Sequence, residues 1–171
     1  MAKGIIRLAD DPNDPIYTGG YVVSSHNGRR LDGRPLWTLP PWIVLHIPHN
    51  STFIPASVRD QFTLSDAELD DEILKMTDHH THDLFAQGVS SSQVVVAPVS
   101  RLVVDVERFE DDAFEPMSGV GMGVVYTRTH DAKTLRRPIS QEERDELLNQ
   151  WYRPHHLRLS NAVENAIKCH G

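Results

Sequence analysis

Three polar residues directly follow a short apolar run in the first third of the chain. The run Trp42–Ile47 ends at a proline, and His49, Asn50 and Ser51 come next. A short apolar run bounded by prolines predicts a buried strand. Ligands of open α/β sheets bind just beyond the carboxyl ends of strands, so these residues are candidates for a reactive pocket. Within the run, His46 is interpreted as a core histidine with one hydrogen bond, whereas His49 could equally be an ordinary loop histidine.

Histidines are numerous and lie in groups along the chain. There are 10 among 171 residues, and such grouping raises the expectation of a metal site. Asp78 and His82 are four residues apart on a predicted helix, where they would share one face. The two side chains could ligate one metal, but their spacing alone favours an exposed i,i+4 pair.

Charged residues interrupt an apolar segment between Arg101 and Arg108. The segment is predicted to be extended, and alternation would place Asp105 and Glu107 on the same face as Val103. Carboxylates on such a face need partners if they are buried, and the two arginines are the nearest candidates. A structural ion-pair network and a functional site both fit this pattern.

The elements that must position these residues have recognisable boundaries. Ser65 and Glu68 form a capping box that begins a helix. The helical pattern continues to Gly88, either as one helix or as two helices with a break near Thr77. Val94–Ala97 is predicted to be a strand, because it is short, apolar and β-branched.

The second half of the chain adds a glycine-rich stretch and a long helix. Gly119–Gly123 lacks the spacing of a dinucleotide fingerprint, and a predicted strand, Val124–Thr127, follows it. We interpret the glycines as a place where the backbone passes close to a ligand or to neighbouring chain. A second capping box at Ser140 begins the helix, which should kink at Pro154. Its predicted apolar stripe comprises Leu147, Leu148, Trp151, Leu159, Ala162, Val163, Ala166 and Ile167.

Composition limits the classes of protein to which the chain can belong. We predict one domain over residues 41–171, with residues 1–40 as an N-terminal extension packed on it. The formal net charge of -7 argues against nucleic acid as a partner. The single cysteine, Cys169, excludes an internal disulfide and fits a reducing compartment. Neither a signal peptide nor a membrane span is recognisable, so a cytoplasmic protein without membrane contact is expected.

Three segments, taken together and in this order, resemble the N-formylglutamate amidohydrolase family. They are Pro48–Ser51, Ser100–Arg108 and Trp151–His156, with Gly119–Gly123 between the last two. The resemblance covers roughly residues 41–171. It implies an α/β fold with a mixed sheet flanked by helices, phosphorylase/hydrolase-like and similar to the zinc carboxypeptidase and aspartoacylase group. A metal would lie at the strand ends.

The resemblance also implies a reaction and a role for each site residue. N-formyl-L-glutamate, or a similar small acidic N-acyl amino acid, would react with water to give formate and glutamate. A divalent metal, Zn²⁺ in preference to others, would be held by His49 and Asp78. Arg101 would polarise the scissile carbonyl, and Arg108 would bind the substrate carboxylate. The remaining substrate-binding residues would be Asn50, Ser51, Tyr126 and Arg128.

The chain departs from the family pattern at three places. Thr52 stands where related sites carry a glutamate, and Glu107 stands where the family has asparagine. A later strand with an Asp-x-His-Ser-like element, the source of a third ligand, is not found. We therefore expect a chain that lacks the C-terminal part of the family domain. The alternative hypothesis is a non-catalytic relative that binds a small acidic ligand or a protein partner. An exposed sheet edge or apolar helix face would favour a homo-oligomer.

Overall fold

A small parallel sheet and a set of helices surround a core built largely from irregular segments. The computed structural model describes residues 5–6, 22–23, 39–86 and 88–170. In chain order its strands and helices are β1 (Ile5–Ile6), β2 (Val22–Val23), β3 (Leu45–Ile47), α1 (Asp66–Met76), α2 (Thr81–Phe85), β4 (Val94–Val96), α3 (Gln141–Leu147) and α4 (Arg153–His170). Three 3₁₀ turns lie at Ala56–Gln61, Ser91–Gln93 and Pro116–Val120, and a π-helical turn, Leu148–Tyr152, joins α3 to α4. The α/β class is confirmed for this small sheet with helices.

The two pairs of strands form separate sheets. β3 and β4 are parallel, with Leu45 opposite Val94 and Ile47 opposite Val96, and α1 and α2 lie in the crossover that a parallel pair requires. β1 and β2 are antiparallel. The predicted strands at 42–47 and 94–97 are confirmed, although each is only three residues long. The predicted packing of the N-terminal extension lies largely outside the described residues.

Both capping boxes are present. Ser65 accepts a hydrogen bond from the backbone N–H of Glu68, whose side chain returns one to the Ser65 backbone, and α1 begins there. Ser140 and Glu143 form the same reciprocal pair at the start of α3. After α1 the chain breaks at Thr77 before α2 begins, so the two-helix alternative is correct. No helix of the described residues has the length and apolar character needed to cross a membrane.

The prediction of extended structure between Arg101 and Arg108 is wrong. The N–H of Val103 bonds to the Ser100 carbonyl at 2.9 Å, and the N–H of Arg108 bonds to the Asp105 carbonyl at 3.3 Å, so the segment turns twice. Asp105 is fully buried, whereas the Glu107 side chain is 58% exposed, so the two carboxylates do not share a face. A run of β-branched residues here reflects burial in the core rather than pairing in a sheet.

The prediction of a strand at Val124–Thr127 is also wrong. Within the described residues, the nearest pairing is an isolated bridge between Arg128 and Thr134. The β-branched residues lie in the core for the same reason as in the preceding segment, since Val124 is fully buried. The carbonyl of Val124 accepts a hydrogen bond from the N–H of Asp105 at 2.8 Å, which holds the two irregular segments together.

A buried arginine replaces the hydrogen bonds that a larger sheet would have provided. Arg136 is 2% exposed, and its guanidinium donates to the carbonyls of Tyr126, Leu102 and Val103 at 3.1, 2.8 and 3.1 Å. It also contacts the side chain of Gln61. Buried carbonyls need such donors. Burial lowers the pKa of Arg136 to about 10, so the side chain remains charged at neutral pH.

The glycine-rich stretch is a close approach between segments of the chain. Gly121 has a φ of +81°, and a Cβ at this position would collide with the side chains of Arg128 and Thr127. A Cβ on Gly123 would collide with the carboxylate of Asp112. Of the two interpretations of these glycines, the structure supports contact with a neighbouring segment.

The predicted kink at Pro154 takes the form of a π-helical turn. Proline lacks an N–H and disturbs the preceding helical turn, and the wider π turn at Leu148–Tyr152 accommodates it. The stripe is buried at Leu147, Leu148 and Trp151. Farther along α4, Val163 and Ile167 are 41% and 63% exposed among the described residues.

Candidate active site

His49 lies directly beyond the carboxyl end of β3 and is 3% exposed. Its Nε2 is 2.8 Å from Oδ1 of Asp105. Its Nδ1 lies 3.5 Å from Oδ2 of Asp78 and 3.6 Å from Oε2 of Glu107. Because a carboxylate only accepts, Nε2 carries the hydrogen, so Nδ1 is the ring nitrogen that could bind a metal. A histidine held in this way by a buried carboxylate is oriented to act as a metal ligand.

Asp105 is the centre of the hydrogen-bond network. Its Oδ2 accepts from the Tyr126 hydroxyl at 2.6 Å and from Arg101 at 2.9 Å. Its Oδ1 accepts from His49 and from the backbone N–H of Glu107, the latter at 2.9 Å. Burial alone would raise the pKa of Asp105, but the hydrogen bond and charge of His49 and the charge of Arg101 outweigh it. The pKa therefore lies well below its usual range, and the side chain is a permanent anion at neutral pH.

Tyr126 and Arg101 support this anion from one side. Burial, followed by the charge of Asp105, raises the pKa of Tyr126 to about 12, so its hydroxyl stays protonated and donates. The Arg101 Nε donates to the same hydroxyl oxygen at 3.2 Å. The guanidinium of Arg101 is thus fixed by two partners, and its orientation does not depend on a ligand.

Arg108 is held less firmly. Its Nε lies 3.5 Å from Asp105 Oδ2 and its Nη1 lies 3.7 Å from Glu115 Oε1, both longer than a good charged hydrogen bond. Among the residues that the structure describes, the buried Nε atom has no hydrogen-bond partner. The Glu115 carboxylate is already occupied by the backbone N–H groups of Phe109 and Met117. The Arg108 side chain is 24% exposed, so its Nη groups could still donate to a carboxylate.

Asp78 reaches the site through the break between α1 and α2. Its backbone N–H donates to the His49 carbonyl at 2.9 Å, which places the two side chains next to each other. Asp78 precedes α2 rather than lying on a helix, so the i,i+4 pair with His82 that the spacing favoured is not formed. The His82 Nδ1 lies 3.8 Å from Asp83 instead.

The other predicted substrate-binding residues have local partners. Asn50 Oδ1 accepts from the backbone N–H of His82 at 3.3 Å, and Ser51 Oγ donates to the Pro98 carbonyl at 3.3 Å. Both bonds fix the loop that carries His49. Arg128 donates to the Thr134 hydroxyl at 3.2 Å. The structure thus brings together five of the predicted site residues: His49, Asp78, Arg101, Arg108 and Tyr126.

Glu107, which stands where the family has asparagine, has its carboxylate beside His49. The donor set on the Nδ1 side of the histidine is one nitrogen and two carboxylates, a combination that suits a divalent metal. The Asp78 and Glu107 side chains are 60% and 58% exposed, so they are free to rotate towards a cation. Sequence reasoning missed this position of Glu107, because nothing in the spacing shows which side of the turn faces His49.

A second group of potential ligands lies elsewhere. Among the described residues, only Glu72, His130 and Asp131 have ligand atoms that all lie within 4.8 Å of one another. However, both oxygens of Glu72 accept from His130, at 2.7 Å from its backbone N–H and 2.6 Å from Nδ1. Asp131 pairs with Lys133 at 2.8 Å. These groups satisfy one another without an ion.

His46 is half-buried rather than a fully buried core residue, and it makes the one hydrogen bond that was predicted. Its Nε2 is hydrogen-bonded to Nε2 of His155 at 2.8 Å. Burial lowers the pKa of both rings, that of His155 to about 4, so the pair is neutral at pH 7. The bond connects β3 to α4.

Two comparisons with known proteins give matches. Residues 42–171 match the family model of N-formylglutamate amidohydrolase. The structure is similar to the crystal structure of an N-formylglutamate amidohydrolase from Ralstonia eutropha JMP134, with a TM-score of 0.63 and 22% sequence identity. The match covers 75% of this chain and 50% of that one, so the chain spans about half the length of that solved structure. At this identity the likeness concerns the fold. No curated protein sequence matches the chain.

Proposed function

Because the chain belongs to the N-formylglutamate amidohydrolase family, we propose that it hydrolyses the amide bond of a small acidic N-acyl amino acid, N-formylglutamate in the first instance. Water adds to the formyl carbon, the carbon–nitrogen bond breaks, and the amino nitrogen takes up a proton. The products are formate and glutamate. The single observation that carries the proposal is the position of buried His49, between Asp105 on one ring nitrogen and two exposed carboxylates on the other.

We further propose that a divalent metal, preferably Zn²⁺, is held by His49 and Asp78, with Glu107 as an additional carboxylate. Such a metal, when bound, would lower the pKa of a water ligand to about 7 and polarise a carbonyl. Asp105 would orient the ligating histidine from the second ring nitrogen, as carboxylates do in many metal sites. The mixed nitrogen and oxygen donors favour zinc over calcium or magnesium.

The two arginines account for the acidic substrate. The partly exposed Arg108 makes only long contacts with carboxylates of the protein, and a guanidinium binds a carboxylate in a planar, bidentate manner. Arg101 is fixed by Asp105 and Tyr126, which suits a group that must meet developing negative charge on the formyl oxygen without reorganising.

The test measures metal content and formate release in the same purified sample. We expect close to one metal per chain and formate produced in step with glutamate. A chain without metal and without formate release would overturn the proposal and favour the non-catalytic alternative. A metal-loaded chain that is inactive on N-formylglutamate but active on other N-acyl amino acids would correct only the substrate.

A further inference from the structure

Two side chains at the junction of the π turn and α4 contact the turn that carries Glu107 and Arg108. The Tyr152 hydroxyl donates to the Arg108 carbonyl at 2.8 Å, across 44 residues of sequence. His156 Nε2 lies 2.9 Å from the Val106 carbonyl, across 50 residues. Since a carbonyl only accepts, Nε2 of His156 must carry the hydrogen, which fixes the tautomer of this ring.

Each of these side chains supports the other. Tyr152 and His156 are four residues apart and share one helical face. Their ring centroids are 4.3 Å apart with a tilt of 41°. Tyr152 is only 7% exposed, so its ring has little freedom to move. The π turn, which ends at Tyr152, places this residue and the neighbouring Trp151 in the buried interior together.

Three backbone groups of the contacted turn are fixed by hydrogen bonds to side chains. The Glu107 N–H is bonded to the Asp105 carboxylate, and the carbonyls on either side of Glu107 are those held by His156 and Tyr152. The Val106 side chain is buried at 1% exposure. The side chains of Glu107 and Arg108 extend from this held backbone towards His49 and Asp105.

We propose that Tyr152 and His156 are positioning residues, which act through the backbone of residues 106–108 to hold Glu107 and Arg108 in their working orientations. This inference rests on the proposed function, in which Arg108 binds the substrate carboxylate. Neither side chain has a described contact with His49, Asp105 or either site arginine side chain, so their effect on the site passes through the two carbonyls. Substrate binding should suffer more than chemistry when they are removed.

The first test uses amide hydrogen exchange of the protein without substrate. Tyr152→Phe removes only the hydroxyl, and the amides of Glu107 and Arg108 should exchange about fivefold faster, because one hydrogen bond contributes about 1 kcal/mol. Exchange in α1 should not change. Thr63→Val is the matched control, because it removes a hydroxyl that donates to a backbone carbonyl, that of Thr134, at 2.9 Å away from the site. Equal exchange at 107–108 in the two variants would overturn the proposal.

The second test separates positioning from general stability. In Tyr152→Phe, the Michaelis constant for N-formylglutamate should rise about fivefold while kcat stays within about twofold. His156→Gln keeps an N–H donor, so amide exchange at Glu107 and Arg108 should stay at the wild-type rate. His156→Ala removes the donor and should raise the exchange rate and the Michaelis constant as Tyr152→Phe does. If glutamine rescues no better than alanine, the imidazole does not act through the Val106 carbonyl.

The two tests also distinguish this inference from the proposed function. A wild-type protein that releases no formate would overturn the proposed function. The exchange data would still show whether Tyr152 and His156 fix the backbone of residues 106–108. Faster exchange together with an unchanged Michaelis constant would show that the turn is held but that its position does not govern substrate binding.

Discussion

Two histidine–carboxylate pairs in this molecule look alike but differ in what surrounds them. His49 with Asp105 and His130 with Glu72 each join a buried carboxylate to an imidazole nitrogen, at 2.8 and 2.6 Å. At Glu72, both carboxylate oxygens are used by one residue, through its backbone N–H and its ring. At Asp105, the two oxygens serve four different groups, and the second nitrogen of the histidine faces two further carboxylates.

This difference distinguishes a pair that only stabilises the fold, Glu72 with His130, from a pair that could take part in ligand binding, Asp105 with His49. The Glu72 pair joins α1 to the 129–133 turn and leaves its partners satisfied. The Asp105 pair orients a ring whose other nitrogen has no donor directed at it among the described contacts. A compact cluster of ligand atoms is therefore a poorer sign of function than a histidine that is fixed on one side and open on the other.

The largest expected effect is on folding stability at Asp105. Asp105→Asn removes the charge that pairs with Arg101 and His49 inside the protein, and it should lower the free energy of unfolding by about 3–5 kcal/mol. Denaturant titration of both proteins at pH 7 measures this difference. Because the folded-state pKa of Asp105 is depressed, its stabilising contribution is complete above a pH of about 4 and is lost as the pH falls towards the folded pKa. The difference in free energy of unfolding between wild type and Asp105→Asn should therefore become smaller as the pH falls. A difference that grows would contradict a buried, ionised Asp105.

The next effect concerns metal affinity and compares the two histidines directly. His49→Ala should weaken zinc binding by at least about 100-fold, since it removes a ligand rather than a supporting group. His130→Ala should leave zinc binding within about twofold of wild type. Titration calorimetry and metal analysis after dialysis measure both. The reverse pattern would move the metal site to Glu72, His130 and Asp131.

Arg108→Lys tests recognition of the substrate carboxylate. The lysine keeps the charge but loses the planar fork, so we expect the Michaelis constant to rise about tenfold, equivalent to about 1.4 kcal/mol, with metal content unchanged. Arg153→Lys, which alters an exposed arginine paired with Glu110, is the matched control. Steady-state kinetics with N-formylglutamate would refute carboxylate binding by Arg108 if the two variants behaved alike.

The smallest effect should come from changing the Glu72–His130 pair. Glu72→Gln retains one acceptor oxygen and presents an amide donor to the second His130 bond, so stability should fall by about 1 kcal/mol. Metal affinity and kinetic constants should remain those of wild type. Thermal unfolding monitored by circular dichroism gives the first quantity. If Glu72→Gln lost metal without losing stability, Glu72 would be a metal ligand and not merely the hydrogen-bond partner of His130.

The sequence allowed the fold class, the capping boxes and most of the site to be predicted. His49, Asp78 and the paired arginines could be named because their motifs occur in a recognisable order, and His46 because it lies inside an apolar run. The turn at residues 105–108 could not be predicted from the alternation of apolar and polar residues. That pattern does not show that the backbone N–H of Glu107 bonds to the carboxylate of Asp105, two residues earlier. The place of Glu107 beside His49 and the Glu72–His130 pair depend on contacts between residues 58 positions apart, and such contacts leave no local pattern.

The buried guanidinium of Arg136 has a consequence for how the site assembles during folding. Its hydrogen bonds close chain segments of 10, 34 and 75 residues, and closing long loops slows folding because their entropy is lost before the contacts form. The carbonyls that it joins belong to the same segments that present Asp105 and Tyr126. We therefore expect these segments to order together and late, so that a partly folded chain with α1 and α3 already formed would still have no metal or substrate site.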